Sequence, residues 1–131
     1  MEPAFHLGDQ TQVTLHVKVA SEEPRTWELW IVQVDGDAYL RSLTGVGSRW
    51  YRQATASRAQ LWCDDGIVEA RFEPVDDPVL LDRIDTAYTD KYGIGWPGPV
   101  GFITASRART ATLRVVVLSQ DGGSSAAEQA M

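Results

Sequence analysis

A chain of 131 residues, 44% of them apolar and 23% charged, suits one globular domain built on one core. Twelve Lys and Arg against 18 Asp and Glu leave a net charge of −6 with no basic run, which excludes an electrostatic grip on nucleic acid. Cys63 is the only cysteine, so no internal disulfide can form, and no apolar run approaches the roughly 20 residues of a membrane span. The amino-terminal residues carry neither a basic region nor an apolar stretch of the secretory type. The expected location is therefore the cytoplasm, with no membrane partner.

Residues 1–10 read as a flexible lead-in that ends at Gly8-Asp9. From 11 to 20 the alternation of Val13, Leu15, Val17 and Val19 with Gln12, Thr14, His16 and Lys18 predicts a half-buried strand. Residues 21–24 form a turn punctuated by Pro24. A second strand is expected over 25–34, and large apolar groups on both of its faces place it centrally or covered on both sides. Asp35-Gly36 is a two-residue hairpin signal, and a third strand returns over 38–43. A short helix follows from about 48 to 57. Strands over 59–63 and 67–75 are joined at Asp64-Asp65-Gly66.

Asp77 and Pro78 open the clearest helix, which Gly93 closes. Its apolar stripe is Leu80, Leu81, Ile84, Ala87 and Tyr88, while Asp82, Asp85 and Asp90 fall on the wetter side. Residues 93–99, rich in Gly and Pro, read as irregular chain, either a connector or a flap bearing Trp96. Residues 100–105 read as a short strand or a helical turn, and 110–118 as the last strand. The remainder, 119–131, has the composition of a disordered tail. The single domain thus spans 11–118. Antiparallel hairpins with two helices indicate a mainly β protein, an open or closed barrel with helices at its rim.

The stretch with most chemical content is 39–51. An alternating strand delivers Arg41 and Ser42 to Gly45 and Gly47, whose freedom lets the chain turn. Ser48 then caps a helix carrying Arg49, Trp50, Tyr51 and Arg52. A helix start flanked by arginines is a plausible cradle for a phosphate. The same residues also read as a glycine turn with an ordinary cap and arginines in water. His6, His16 and Cys63 lack metal-site spacing, so no metal is expected. No nucleophile–base constellation, Walker loop or Rossmann glycine pattern occurs. Five tryptophans and four tyrosines pack a core and an interface, or line a pocket for a flat ring.

The run WIVQVDGDAYLRSLTG at 30–45, continuing to Trp50-Tyr51, resembles an uncharacterised bacterial family of unknown function within the flavin-binding split barrels. IDTAYTDKYG at 84–93 and TATLR at 110–114 are further landmarks. A more distant similarity is to the deazaflavin-dependent nitroreductases, through Arg25-Thr26 and the loop from Ser42 to Tyr51. Residues 21–24 stand where those enzymes carry a glycine-rich turn. The resemblance implies a Greek-key split β-barrel of the FMN-binding type that forms a homodimer. It implies FMN or a deazaflavin coenzyme, used in nitroreductase-like hydride transfer to an unknown small molecule. Phosphate contacts would fall on Arg41, Ser42, Ser48 and Arg49, with Arg25 as a further candidate and Gly45, Gly47 and Trp50 completing the cofactor site. Tyr51 and Tyr88 are the expected hydroxyl donors to a substrate. The alternative is a non-catalytic split barrel that binds a small ligand or a protein partner.

Overall fold

The computed structural model describes residues 12–19, 22–63, 66–93, 95 and 97–121. The expected lead-in, Ser21, the Asp64-Asp65 turn, Trp96 and the segment 122–131 lie outside the described residues. Seven strands form one antiparallel sheet: β1 (Gln12–Val19), β2 (Glu22–Trp30), β3 (Val32–Val34), β4 (Asp37–Arg41), β5 (Ala59–Cys63), β6 (Gly66–Pro74) and β7 (Thr112–Asp121). Four helices accompany them: α1 (Arg49–Ala56), α2 (Pro78–Tyr92), α3 (Pro97–Ile103) and α4 (Ser106–Arg109). The sequence pattern shows the first two helices and offers a helical turn within 100–105, which α3 overlaps. Residues expected to be irregular after Gly93 start a helix at Pro97, where a proline gives up no needed hydrogen bond.

The order across the sheet is β2-β1-β5-β6-β7-β4-β3. β2 and β3 therefore stand at opposite ends of the ladder, yet only Ile31 separates them in sequence. Two chain steps span at most about 7 Å. The sheet must curl until its ends meet, which gives a mainly β barrel, as the strand pattern anticipated, of the split kind that the family resemblance implied. This corrects the reading of 25–34 as a single strand, placed centrally or covered on both sides. The apolar run is divided at Ile31 between two edge strands, and β2 starts earlier than expected, since an edge tolerates Pro24.

A chain that leaves one edge for the other takes the main chain of Ile31 out of the ladder, and Ile31 is fully buried. Buried N–H and C=O groups need partners. Here α2 provides them. The Tyr92 hydroxyl accepts from the Ile31 N–H at 3.1 Å and donates to the Ile31 carbonyl at 2.9 Å. Lys91 Nζ donates to the same carbonyl at 2.7 Å. Trp30 stacks on Tyr92 with ring centres 4.0 Å apart.

Local signals behave as expected. Asp35 and Gly36 both take positive φ in the β3–β4 hairpin. Ser48 Oγ accepts from Tyr51 N at 3.3 Å, and Asp77 Oδ1 accepts from Val79 N at 3.1 Å. Gly93 ends α2 in right-handed helical geometry, so its role is close approach: a Cβ there would meet Thr89 O at 2.4 Å. β7 continues to Asp121, past the expected end at 118.

Two cores result. One fills the barrel with Leu15, Ile31, Leu40, Leu61, Val68 and Leu113. The other packs Ile84, Tyr88 and Tyr92 of α2 against Val32, Val34, Tyr39 and Val75. Leu80 and Leu81 are only partly buried, so the stripe of α2 is rotated toward its carboxy-terminal half.

Tyr92→Phe should cost about 1–3 kcal/mol in urea unfolding, because the Ile31 N–H loses its partner without access to water. Burial pushes the Tyr92 hydroxyl up to about 12. The unfolded chain then gives up its proton first, near the ordinary value of 10.0, so stability should hold below that pH and fall above it. Urea midpoints measured on either side of pH 10 check the sign.

Candidate functional site

The curl does not seal the barrel. A cavity of about 350 Å³ opens beside β2, lined by residues 27–30, by Arg41, Ser42, Leu43 and Thr44 at the end of β4, by Trp50 of α1, and by Pro99 and Ile103 of α3. Its walls hold Trp27, Trp30 and Trp50 together with Leu29, Leu43 and Ile103. Ligand pockets commonly occupy about 300–1,000 Å³ with mostly apolar linings. Three tryptophans from two separate elements, β2 and α1, share this lining, which no local spacing announces.

Arg41 forms part of this wall, but its charge is already committed. Its side chain is fully buried. Nε donates to Thr112 Oγ1 at 2.8 Å, Nη1 to Asp85 Oδ1 and to the Ile103 carbonyl at 3.2 Å, and Nη2 to the Leu81 carbonyl at 3.1 Å. Asp85 also accepts from Arg109, which bonds Asp82 at 3.0 Å. A guanidinium so engaged ties β4 to α2, α3 and β7. The structure thus sets Arg41 as an internal tie facing protein groups, where the sequence suggested a rim arginine facing a phosphate. Asp85, expected on the wet side of α2, is its counter-ion. The signal was available: Asp85 lies four residues after Leu81 and three before Tyr88, inside the apolar stripe.

The other expected site residues divide. Ser42 is buried on the cavity wall and donates to Ser48 Oγ at 2.8 Å, so the two hydroxyls pin the loop and cap α1 in one chain of bonds. Gly45 adopts φ 93°, and the methylene stem of Arg107 packs where its Cβ would be, at 2.8 Å. Gly47 is exposed, with open space about it, and Arg49 is exposed at the first position of α1. Arg107, which sequence reasoning left aside, thereby joins Arg49 beside the loop. Arg25 lies half-buried on β2, opposite Val17 and outside the cavity lining.

Neither tyrosine lines the cavity. Tyr51 packs in the barrel core, where burial pushes its hydroxyl up. Tyr88 is fully buried; burial raises its pKa, opposed by nearby Arg41, and its hydroxyl donates to the Trp30 carbonyl at 3.5 Å. Ser42 and Thr44 are the aliphatic hydroxyls at the wall. Among the described residues, no cluster of His, Cys, Asp or Glu is suited to a metal, and no helix is long and apolar enough to cross a membrane.

Comparison with known proteins agrees with this architecture. A family model described as "Uncharacterized protein conserved in bacteria (DUF2255)" matches residues 6–115. No curated protein matches the chain. Among solved structures, the chain is similar to a conserved hypothetical protein from Mycobacterium tuberculosis, with a TM-score of 0.64 and 16% identity over 88% of this chain and 78% of that one. It is similar to an FAD-binding protein from Mesorhizobium loti, with a TM-score of 0.54 and 20% identity over 88% and 86%. A third, an FAD and heme binding protein from Mycobacterium smegmatis, gives 0.53 and 15% over 88% of this chain and 63% of that one. At these identities the likeness is one of fold, the split barrel.

Asp85→Asn should leave the buried Arg41 without its counter-charge and cost about 3 kcal/mol in chemical unfolding. The double variant Arg41→Met with Asp85→Leu should recover most of that loss, because an apolar pair removes the uncompensated charge.

Proposed function

We propose, from the premise that this chain belongs to that bacterial family, that it is a flavin-type cofactor-binding split barrel and acts as an oxidoreductase on a small molecule. The observation that carries this reading is the cavity itself: Trp27, Trp30 and Trp50 are among the residues lining a space in the barrel wall large enough for one flat ring system. Its volume, about 350 Å³, lies at the small end of ligand pockets. A ring fits such a space and the rest of a cofactor extends to the rim. That favours FMN or a deazaflavin coenzyme, with a dinucleotide reaching well beyond the walls.

When bound, such a cofactor supplies the hydride chemistry. The chain supplies the rest. Trp27, Trp30 and Trp50 exclude water and offer apolar faces. Arg41 holds the wall rigid as a positioning residue. The phosphate falls to the loop at Gly45, Gly47 and Ser48 and to the exposed Arg49, with Arg107 beside it. Proton delivery passes to Ser42 or Thr44, since Tyr51 and Tyr88 are off the wall. Leu43, Val46 and Phe102 stand 50%, 51% and 69% exposed on or next to cavity-lining segments. That exposed apolar surface supports a two-fold homodimer with the cofactor near the interface, which light scattering at micromolar concentration should show as twice the chain mass.

Titration of the purified protein with FMN, riboflavin and a deazaflavin coenzyme, followed by tryptophan fluorescence, tests the reading. Saturable quenching is expected with FMN or the deazaflavin. Arg49→Ala should weaken the phosphorylated ligands by about 1.5–3 kcal/mol while leaving riboflavin unchanged. Trp27→Ala should weaken all of them. If no flavin binds at hundreds of micromolar, the barrel is a non-catalytic module for another ligand or a protein partner.

A further inference from the structure

Four consecutive residues of β2, from Trp27 to Trp30, line the cavity. Successive side chains of a strand point to opposite faces, so a cavity on one face touches every second residue. Contact with four in a row means that the cavity runs along the edge of the strand, where the outward-facing main-chain groups of every second residue are within reach. β2 is the end strand of the sheet and pairs with β1 alone. A free edge carries a row of N–H and C=O groups open to new partners.

The protein answers this demand at one end of the row. The Tyr88 hydroxyl takes the Trp30 carbonyl, and the Tyr92 hydroxyl takes both main-chain groups of Ile31. Among the described residues, no main-chain partner other than β1 meets Trp27, Glu28 or Leu29.

Resting on the reading of the cavity as a ring site, we infer that the β2 edge at residues 27–29 recognises its ligand by in-plane main-chain hydrogen bonds. The ligand is then a planar heterocycle with a cyclic imide or lactam edge. Such an edge sets a carbonyl acceptor beside an N–H donor, the same pair that a neighbouring strand presents. The indoles of Trp27, Trp30 and Trp50 supply the apolar surface for its faces. An extended peptide is the other molecule that reads a strand edge, but the space is wrong for it. The exposed row covers about 10 Å. Residues 42–44, Pro99 and Ile103 close the remaining walls of a cavity of about 350 Å³, too small for a strand with its side chains.

The test is fluorescence titration of the full chain with lumiflavin, 3-methyllumiflavin and 10-methylacridone, with amide hydrogen exchange on the complex. Methylation removes the imide N–H and keeps the ring faces, so it should weaken binding roughly tenfold, the worth of one net hydrogen bond. The acridone, which has no imide, should bind as weakly. Bound lumiflavin should slow exchange at alternate amides within residues 27–29. Equal affinity for the two flavins, or unchanged exchange in β2 with lumiflavin bound, overturns the inference and leaves ring binding intact. An extended peptide that displaces lumiflavin and protects the same amides also overturns it, by making the edge a peptide site. If none of the three rings binds, the cavity is not a ring site and the proposed function fails with it.

Discussion

The Ile31 main chain, clamped by the Tyr92 hydroxyl, is the constraint on which the rest of the structure depends. One residue joins the two ends of a seven-stranded sheet, so the sheet has no freedom to lie open. That junction removes two polar groups from the ladder in a place where water does not reach. A single hydroxyl satisfies both of them. α2 is therefore fixed against the seam by hydrogen bonds as well as by the packing of Ile84, Tyr88 and Tyr92. The second core follows from this placement.

The cavity is the other consequence of the same seam. β2 gives way to β3 at Ile31, and among the described residues no strand pairs with its outer edge. The end of β4, α1 and α3 approach that edge without joining it, and Trp27, Trp30 and Trp50 are among the residues lining the space between them. Arg41 stabilises this arrangement from behind. Its guanidinium holds four different segments together, through two side chains and two main-chain carbonyls, and Asp85 neutralises the charge in place. The site accordingly has a stiff inner wall and an exposed loop at Gly45 to Arg49. Its positive charge toward solvent comes from Arg49 and Arg107.

This division explains which site residues the sequence could reveal. Ser48 as a cap, Gly45 as a turn and Trp50 on the helix behind them are consequences of neighbours within a few residues. They are legible because capping and φ restrictions act locally. The role of Arg41 is not local. A strand arginine before a glycine loop looks the same whether it faces solvent phosphate or a carboxylate 44 residues away. The deciding fact is that α2 lies across the end of β4. Tyr51 and Tyr88 suggest hydroxyl donors by chemical type alone, and the packing of α1 and α2 turns both rings into the cores.

The pieces are written in the chain itself: the alternation of β1 and β6, the positive-φ hairpin at Asp35-Gly36, the capped starts of α1 and α2, and the stop at Gly93. Each rests on steric or hydrogen-bonding rules that operate within one turn of chain. Only the tertiary structure decided that the apolar run 25–34 breaks at Ile31, that its halves become opposite edges, and that Asp85 turns inward to Arg41. It also decided that Trp27, Trp30 and Trp50 share one cavity. Those outcomes depend on strand order and on contacts between residues far apart in the chain. The same alternating pattern suits a central strand or an edge, and the curl of the whole sheet selects between them.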